Sequence, residues 1–191
     1  MKHTPSWTLP FIASAMITIA SNPAYADAVG PYYANPSWDQ TLPASTRFIV
    51  LSNFNSAAVL DRETGLVWER SPNQLGFSSS TDPLFQLPWD FVEFGCLDRK
   101  TGGRLGWRLP TVDELLSLVD PTVSPPGPTL PAGHPFTNVQ SSRYWTATQR
   151  AGGSVSSQNA YIVNFAQGFV DAGLPTALGW CVRGDSHATV Y

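Results

Sequence analysis

The sequence predicts one α+β domain of ordinary size behind an export signal, and three observations lead to that class. Residues 106–115, Gly-Trp-Arg-Leu-Pro-Thr-Val-Asp-Glu-Leu, carry a helix start, because Thr111 can cap and Glu114 stands three residues on, the capping-box spacing. Short β-rich runs separated by turn residues lie on both sides of it, and two short helices among such strands suit an α+β arrangement. The third observation is a pair of cysteines, Cys96 and Cys181, about 85 residues apart.

The first residues read as a secretory signal. Lys2 and His3 make a weakly basic start, residues 9–20 are largely apolar, and Ala24-Tyr25-Ala26 supplies a small-x-small cleavage pattern. That apolar run falls short of the roughly 20 residues a spanning helix needs, so cleavage after Ala26 is expected and no membrane span afterwards. The predicted division is signal peptide 1–26, N-terminal arm 27–46, folded domain 47–184 and tail 185–191. The expected location is periplasmic, cell-surface or secreted.

Cleavage removes one lysine and no acid, leaving 10 basic residues against 14 acidic. A mildly acidic chain of this kind is a poor nucleic-acid binder. An even cysteine pair in an exported chain reads as a disulfide, and closing so long a loop is worth roughly 4–5 kcal/mol in the chain-entropy picture. The alternative is a metal held by two free thiols, for which no histidine stands at ligand spacing.

Taken in order, the arm is rich in Pro, Ala, Ser and aromatics and shows no sustained period. Residues 48–51, 57–61 and 66–69 are β-rich, and Asp61-Arg62-Glu63-Thr64-Gly65 joins the last two as a hairpin loop with Gly65 free to take positive φ. Residues 71–83 read as a surface loop. Pro88 suits the first turn of a helix, on which Trp89, Val92 and Cys96 share a face. Residues 100–105 turn into the second helix, where Val112, Leu115, Leu116 and Val119 form the apolar stripe and Asp120-Pro121 the stop. The proline-dense residues 121–133 make an irregular excursion. Strands are expected at 144–148, 161–165, 169–172 and 180–183, with Ala166-Gln167-Gly168 as a tight turn.

These stretches together resemble a bacterial family, the Lcl C-terminal-type domain, the C-terminal module of a collagen-like adhesin. The likeness rests on Ala58-Val59-Leu60-Asp61-Arg62-Glu63-Thr64-Gly65-Leu66-Val67-Trp68-Glu69, Trp89-x6-Cys96 and Gly106-Trp107-Arg108-Leu109-Pro110-Thr111 with Glu114-Leu115. It continues in Tyr144-Trp145-Thr146-Ala147-Thr148, Ala160-Tyr161-Ile162-Val163-Asn164-Phe165 and Trp180-Cys181-Val182-Arg183-Gly184, and so covers about residues 47–184. The resemblance implies a C-type lectin-like fold, a bond from Cys96 on the first helix to Cys181 on the last strand, and Trp145 in the core. It also implies adhesion or glycan recognition. Classical lectins of that fold bind calcium through Glu-Pro-Asn or Gln-Pro-Asp and Trp-Asn-Asp motifs, none of which stands here.

Residues 149–160, between two expected strands, hold Gln149, Arg150, Ser156, Ser157, Gln158 and Asn159 but no carboxylate. Calcium prefers several oxygen ligands, usually including carboxylates, so no metal is expected there. Arg143, Gln149, Arg150, Gln158 and Asn159 are the candidate ligand-binding residues, with a solvated loop as the plain alternative. Arg99, Lys100, Arg104 and Arg108 could meet an anionic group, though Arg108 is expected to pair with Asp113 or Glu114 and the other three to form a solvated turn. Tyr32, Tyr33 and Trp38 of the arm are expected to fold back on the domain, or else to stack on sugar rings or dock on a partner; Trp68, Trp107, Trp145 and Trp180 read as core.

Catalysis finds little support. His134 and His187 have no nearby cysteine, no Gly-x-Ser-x-Gly elbow is present, and Asp113 and Glu114 are explained as helix-start residues. The expectation is therefore a non-enzymatic bacterial binding module without cofactor, recognising a surface glycan or protein ligand without calcium. The rival is a structural or protein-interaction subunit of a surface assembly. A remote one is an enzyme of the formylglycine-generating type, which uses a lectin-like fold and needs reactive cysteines.

Overall fold

The computed structural model describes residues 42–72, 86–151, 159–173 and 175–184. In chain order the first elements are α1 (Ala44–Arg47), β1 (Phe48–Val50), β2 (Ala58–Asp61), β3 (Val67–Glu69) and α2 (Trp89–Leu97). Then follow β4 (Trp107–Arg108), α3 (Val112–Leu116), β5 (Arg143–Gln149), β6 (Ala160–Asn164), β7 (Phe169–Ala172) and β8 (Val182–Arg183). Short 3₁₀ turns at Ser52–Phe54 and Thr101–Gly103 complete the set. The signal segment, Tyr32, Tyr33, Trp38, Gln158 and the tail lie outside the described residues.

The β-rich runs near the start form an antiparallel meander, with Phe48 opposite Asp61 and Leu60 opposite Val67. Gly65 takes φ 74° in the connecting turn, and its N–H donates to the Asp61 carbonyl at 2.8 Å. β8 enters this sheet between β3 and β4, giving the order β1-β2-β3-β8-β4, while β5-β6-β7 form a second antiparallel sheet. The chain is thus α+β, with two small sheets among the described residues. Cys96 and Cys181 are bonded, Cα to Cα 5.4 Å, tying α2 to the residue before β8. Of the two readings of the cysteine pair, the disulfide is the one realised.

Alternation along the strands divides the core in two. Tyr144 joins Trp68, Trp180, Phe136 and Phe165 in one cluster, whereas its neighbour Trp145 joins Trp89, Trp107, Cys96 and Cys181 in the other. Trp180 meets Phe136 edge-on at 5.0 Å and Trp68 at 5.7 Å, contacts worth about 0.5–1.5 kcal/mol each beyond burial. Three of the indole N–H groups find carbonyl acceptors, Trp89 donating to Thr146 O, Trp145 to Leu87 O and Trp180 to Glu69 O, at 2.8–2.9 Å, whereas buried Trp68 Nε1 has no hydrogen-bond partner among the described residues. Trp68, Trp107, Trp145 and Trp180 are all buried core residues, as expected.

Several boundaries differ from the sequence reading. Folded chain begins before Arg47: α1 is one helical turn with Ala44 buried, and its final Arg47 reaches inward to Asp61. Pro88 sits one place earlier than expected, as the N-cap of α2, where its missing N–H still costs nothing. The capping box of α3 is present, Glu114 N–H donating to Thr111 Oγ1 at 3.2 Å and Thr111 N–H to Glu114 Oε2 at 2.8 Å. However, α3 ends at Leu116. Ser117 Oγ donates to the Glu114 carbonyl at 2.7 Å, and Leu118 and Val119 N–H groups bond carbonyls three residues back, so Leu115 and Val119 of the stripe are buried, and Val112 and Leu116 partly so, without a continuous α-helix.

Candidate functional site

The structure separates residues that the sequence grouped. Arg143 opens β5 opposite Asn164, whereas Gln149 closes it opposite Ala160. Six extended residues span about 20 Å, so Arg143 does not share a surface with Gln149, Arg150 and Asn159. These three do meet at the base of the β5–β6 hairpin, where Arg150 N–H donates to Asn159 O at 2.8 Å. The Gln149 amide is enclosed, and among the described residues neither its oxygen nor its nitrogen has a hydrogen-bond partner.

The basic run does not form a patch. Arg108 pairs with Glu114, as expected, through two bonds of 2.8 Å, and also donates to Gly184 O. Arg104 is exposed but lies over the Phe54 ring at 5.6 Å. Arg99, expected in a solvated turn, instead points inward with its Nε 3.1 Å from Glu69 Oε1. Lys100 is exposed, and among the described residues its side chain has no ion-pair partner.

Glu69 organises a different place. Its Oε1 accepts from Thr101 Oγ1 at 2.6 Å and its Oε2 from Cys181 N–H at 3.4 Å, beside the disulfide. Burial holds its carboxyl above the ordinary carboxylate value, although Arg99, Thr101 and the Cys181 amide pull the other way. Burial likewise lowers the Arg99 guanidinium, against the pull of Glu69. Both shifts say that desolvation outweighs the attraction inside this pair.

Above Glu69 opens a cavity of about 350 Å³, lined by Asn55, Ser56, Ala57, Glu69, Arg70, Ser71, Thr101 and Thr137. Four chain segments build it. Arg70 N–H donates to Ala57 O at 2.9 Å, extending the β2–β3 pairing by one rung, and Thr137 N–H donates to Arg70 O at 2.8 Å, drawing in the segment that follows the proline-rich excursion. The two 3₁₀ turns abut only because residue 102 is glycine. It takes φ 64°, and an added Cβ would stand 2.7 Å from Phe54 Cβ. That approach brings Thr101 onto Glu69.

Backbone strain gathers at the same rim. Among the described residues, the non-glycines with positive φ are Asn55 at 53°, Ser56 at 57° and Asn138 at 56°. The first two line the cavity, and Asn138 Nδ2 donates to the Ser71 hydroxyl at 2.9 Å. Left-handed serine is uncommon, and strain of this kind concentrates where a ligand is held. A second cavity, about 390 Å³, lies between α2 and α3 and is lined by Glu93, Leu97, Arg108, Leu109, Thr111, Glu114 and Ala147. Arg108 and Glu114 already satisfy each other there.

The sequence reading missed Asn55, Ser56, Arg70 and Thr137. Asn-Ser after a β-run signals a turn, but nothing local shows that residue 137 closes over it.

Fold and site together define a disulfide-closed α+β domain whose polar cavity sits against the buried Glu69. Residues 57–183 match the family model described as the Lcl C-terminal domain. The chain belongs to that family. No curated protein and no solved structure matches it.

Proposed function

We propose that this chain is an exported bacterial binding module that recognises a surface ligand, foremost a glycan, without calcium and without chemical conversion. The family fits a surface-binding or adhesin-type module. The observation that carries the reading further is the polar cavity over Glu69, where hydroxyls, an amide and a guanidinium converge on a strained rim. Joining of both cysteines supports the non-catalytic reading, because a formylglycine-generating type of chemistry needs reactive thiols. A C-type lectin-like fold is part of this proposal. A glycan array probed with and without chelator tests it: binding that survives chelation is expected, and binding abolished by chelator refutes the calcium-free mechanism.

A second reading, a protein-interaction subunit, is favoured by the apolar outer side of α2 and the turn beyond it. Phe94, Leu97 and Leu105 are 63%, 57% and 64% exposed. Envelope assembly that is lost on Phe94→Ser with Leu97→Ser, while glycan binding persists, would favour that reading.

A further inference from the structure

We propose that the cavity over Glu69 takes a single acidic sugar unit, whose carboxylate pairs with Arg70 and whose hydroxyls meet Asn55 and Ser56. The proposal rests on the binding-module reading and names its site and ligand class.

The charge balance of the cavity points to a carboxylate. Arg99 answers the Glu69 charge at 3.1 Å, and Thr101 and the Cys181 amide take further lone pairs of the same carboxyl. Arg70 has no such answer: among the described residues no acid stands within ion-pair distance of it. It is nonetheless half-buried and held in place. Its Nε donates to Pro135 O at 3.1 Å, its Nη1 reaches Ser56 O at 3.4 Å, and its backbone is bonded on both sides, to Ala57 and Thr137. Among the described residues Nη2 has no acceptor. A guanidinium fixed by two backbone carbonyls and left with a free donor edge is preorganised for a planar carboxylate.

The rest of the lining sets the remainder of the ligand. Apart from Ala57 every lining residue is polar, and none is aromatic, so an apolar or stacked ligand has no surface to lie on. Hydroxyl groups, which both donate and accept, match the Asn55 amide and the Ser56 hydroxyl. The volume is near the lower end of small-molecule sites, which run from about 300 to 1,000 Å³, and so suits one ring and not a wrapped polymer. The Glu69–Arg99 pair beneath would then hold Thr101 and the cavity floor rigid while adding no net charge.

The test is titration of the full oxidised chain with glucuronate, N-acetylneuraminate, glucose and glucose 6-sulfate, followed by NMR or calorimetry. Binding of an acidic sugar, tighter than glucose by at least tenfold, is expected. Arg70→Gln should weaken it by at least tenfold, in line with the loss of a charged hydrogen bond. Because Arg70 also holds Pro135, a second variant is needed: Asn55→Gly keeps the left-handed backbone, removes only the amide, and should cost about two- to tenfold. Equal binding of glucose, or of glucose 6-sulfate, overturns the carboxylate assignment. Acidic-sugar binding untouched in both variants overturns the site and leaves the module reading standing. A wild-type chain that binds no saccharide here or on an array defeats that reading itself.

Discussion

Replacing Cys96 and Cys181 together by alanine removes the one covalent link across the fold. The bond closes a loop of 85 residues. In the chain-entropy treatment, a denatured chain freed of a loop that long gains about 4.5 kcal/mol, roughly a third to most of the stability of an ordinary domain. Both sulfurs are fully buried in the same tryptophan-rich cluster, so alanine adds a small cavity cost in the same direction. Other contacts continue to hold the closing segment: β8 pairs with β3 and β4, and the Cys181 N–H still faces Glu69. The variant should therefore fold, with its melting temperature lowered by about 10–20 °C at 2–4 °C per kcal/mol. Urea unfolding followed by tryptophan fluorescence is the assay. The m-value should rise as well, because the unlinked denatured chain exposes more surface. A loss below about 1.5 kcal/mol with an unchanged m-value would refute the claim that the bond works by restricting the denatured chain.

Three further outcomes follow from buried contacts. Asp61→Ala strands the buried Arg47, which Asp61 holds through bonds of 2.9 and 2.7 Å, and should cost about 3–5 kcal/mol by thermal unfolding; a loss under 1 kcal/mol would mean that Glu63, 3.2 Å from the same guanidinium, takes over. Gly102→Ala should cost about 2–4 kcal/mol from left-handed strain plus overpacking against Phe54, whereas Gly103→Ala, with nothing near its Cβ, should cost only about 1 kcal/mol. Similar losses for the two would remove the steric argument. Glu69 has a folded carboxyl raised above its ordinary 4.5 by burial, so its contribution is fullest below that value and is lost as pH rises through the folded pKa. Stability of wild type relative to Glu69→Gln should accordingly decline with rising pH across that window, and a flat difference would contradict the shift.

Much of the framework was legible because its signals are local. The Thr111–Glu114 capping box, the Asp61–Gly65 turn and the alternating strands depend on neighbours within a few residues, and all are present. α1 was missed because four residues carry too little periodicity to register. The end of α3 was misplaced because one serine hydroxyl, bonded to the carbonyl of Glu114, interrupts a pattern that the apolar spacing alone would extend. Arg99 was misread for the opposite reason. A charge cluster looks solvated until the partner 30 positions earlier, Glu69, is brought against it.

By itself the sequence determined the strands, the capped helix, the cysteine pair and the family, since period, caps and turn residues act through short-range sterics and hydrogen bonding. Only the tertiary structure decided which charges are buried in pairs and where a cavity opens. Arg47 with Asp61, Arg99 with Glu69, and Thr137 over Arg70 are joined across 14, 30 and 67 positions. Contacts at that range arise from how sheets and turns pack, and packing distances are not written in any local pattern of residues.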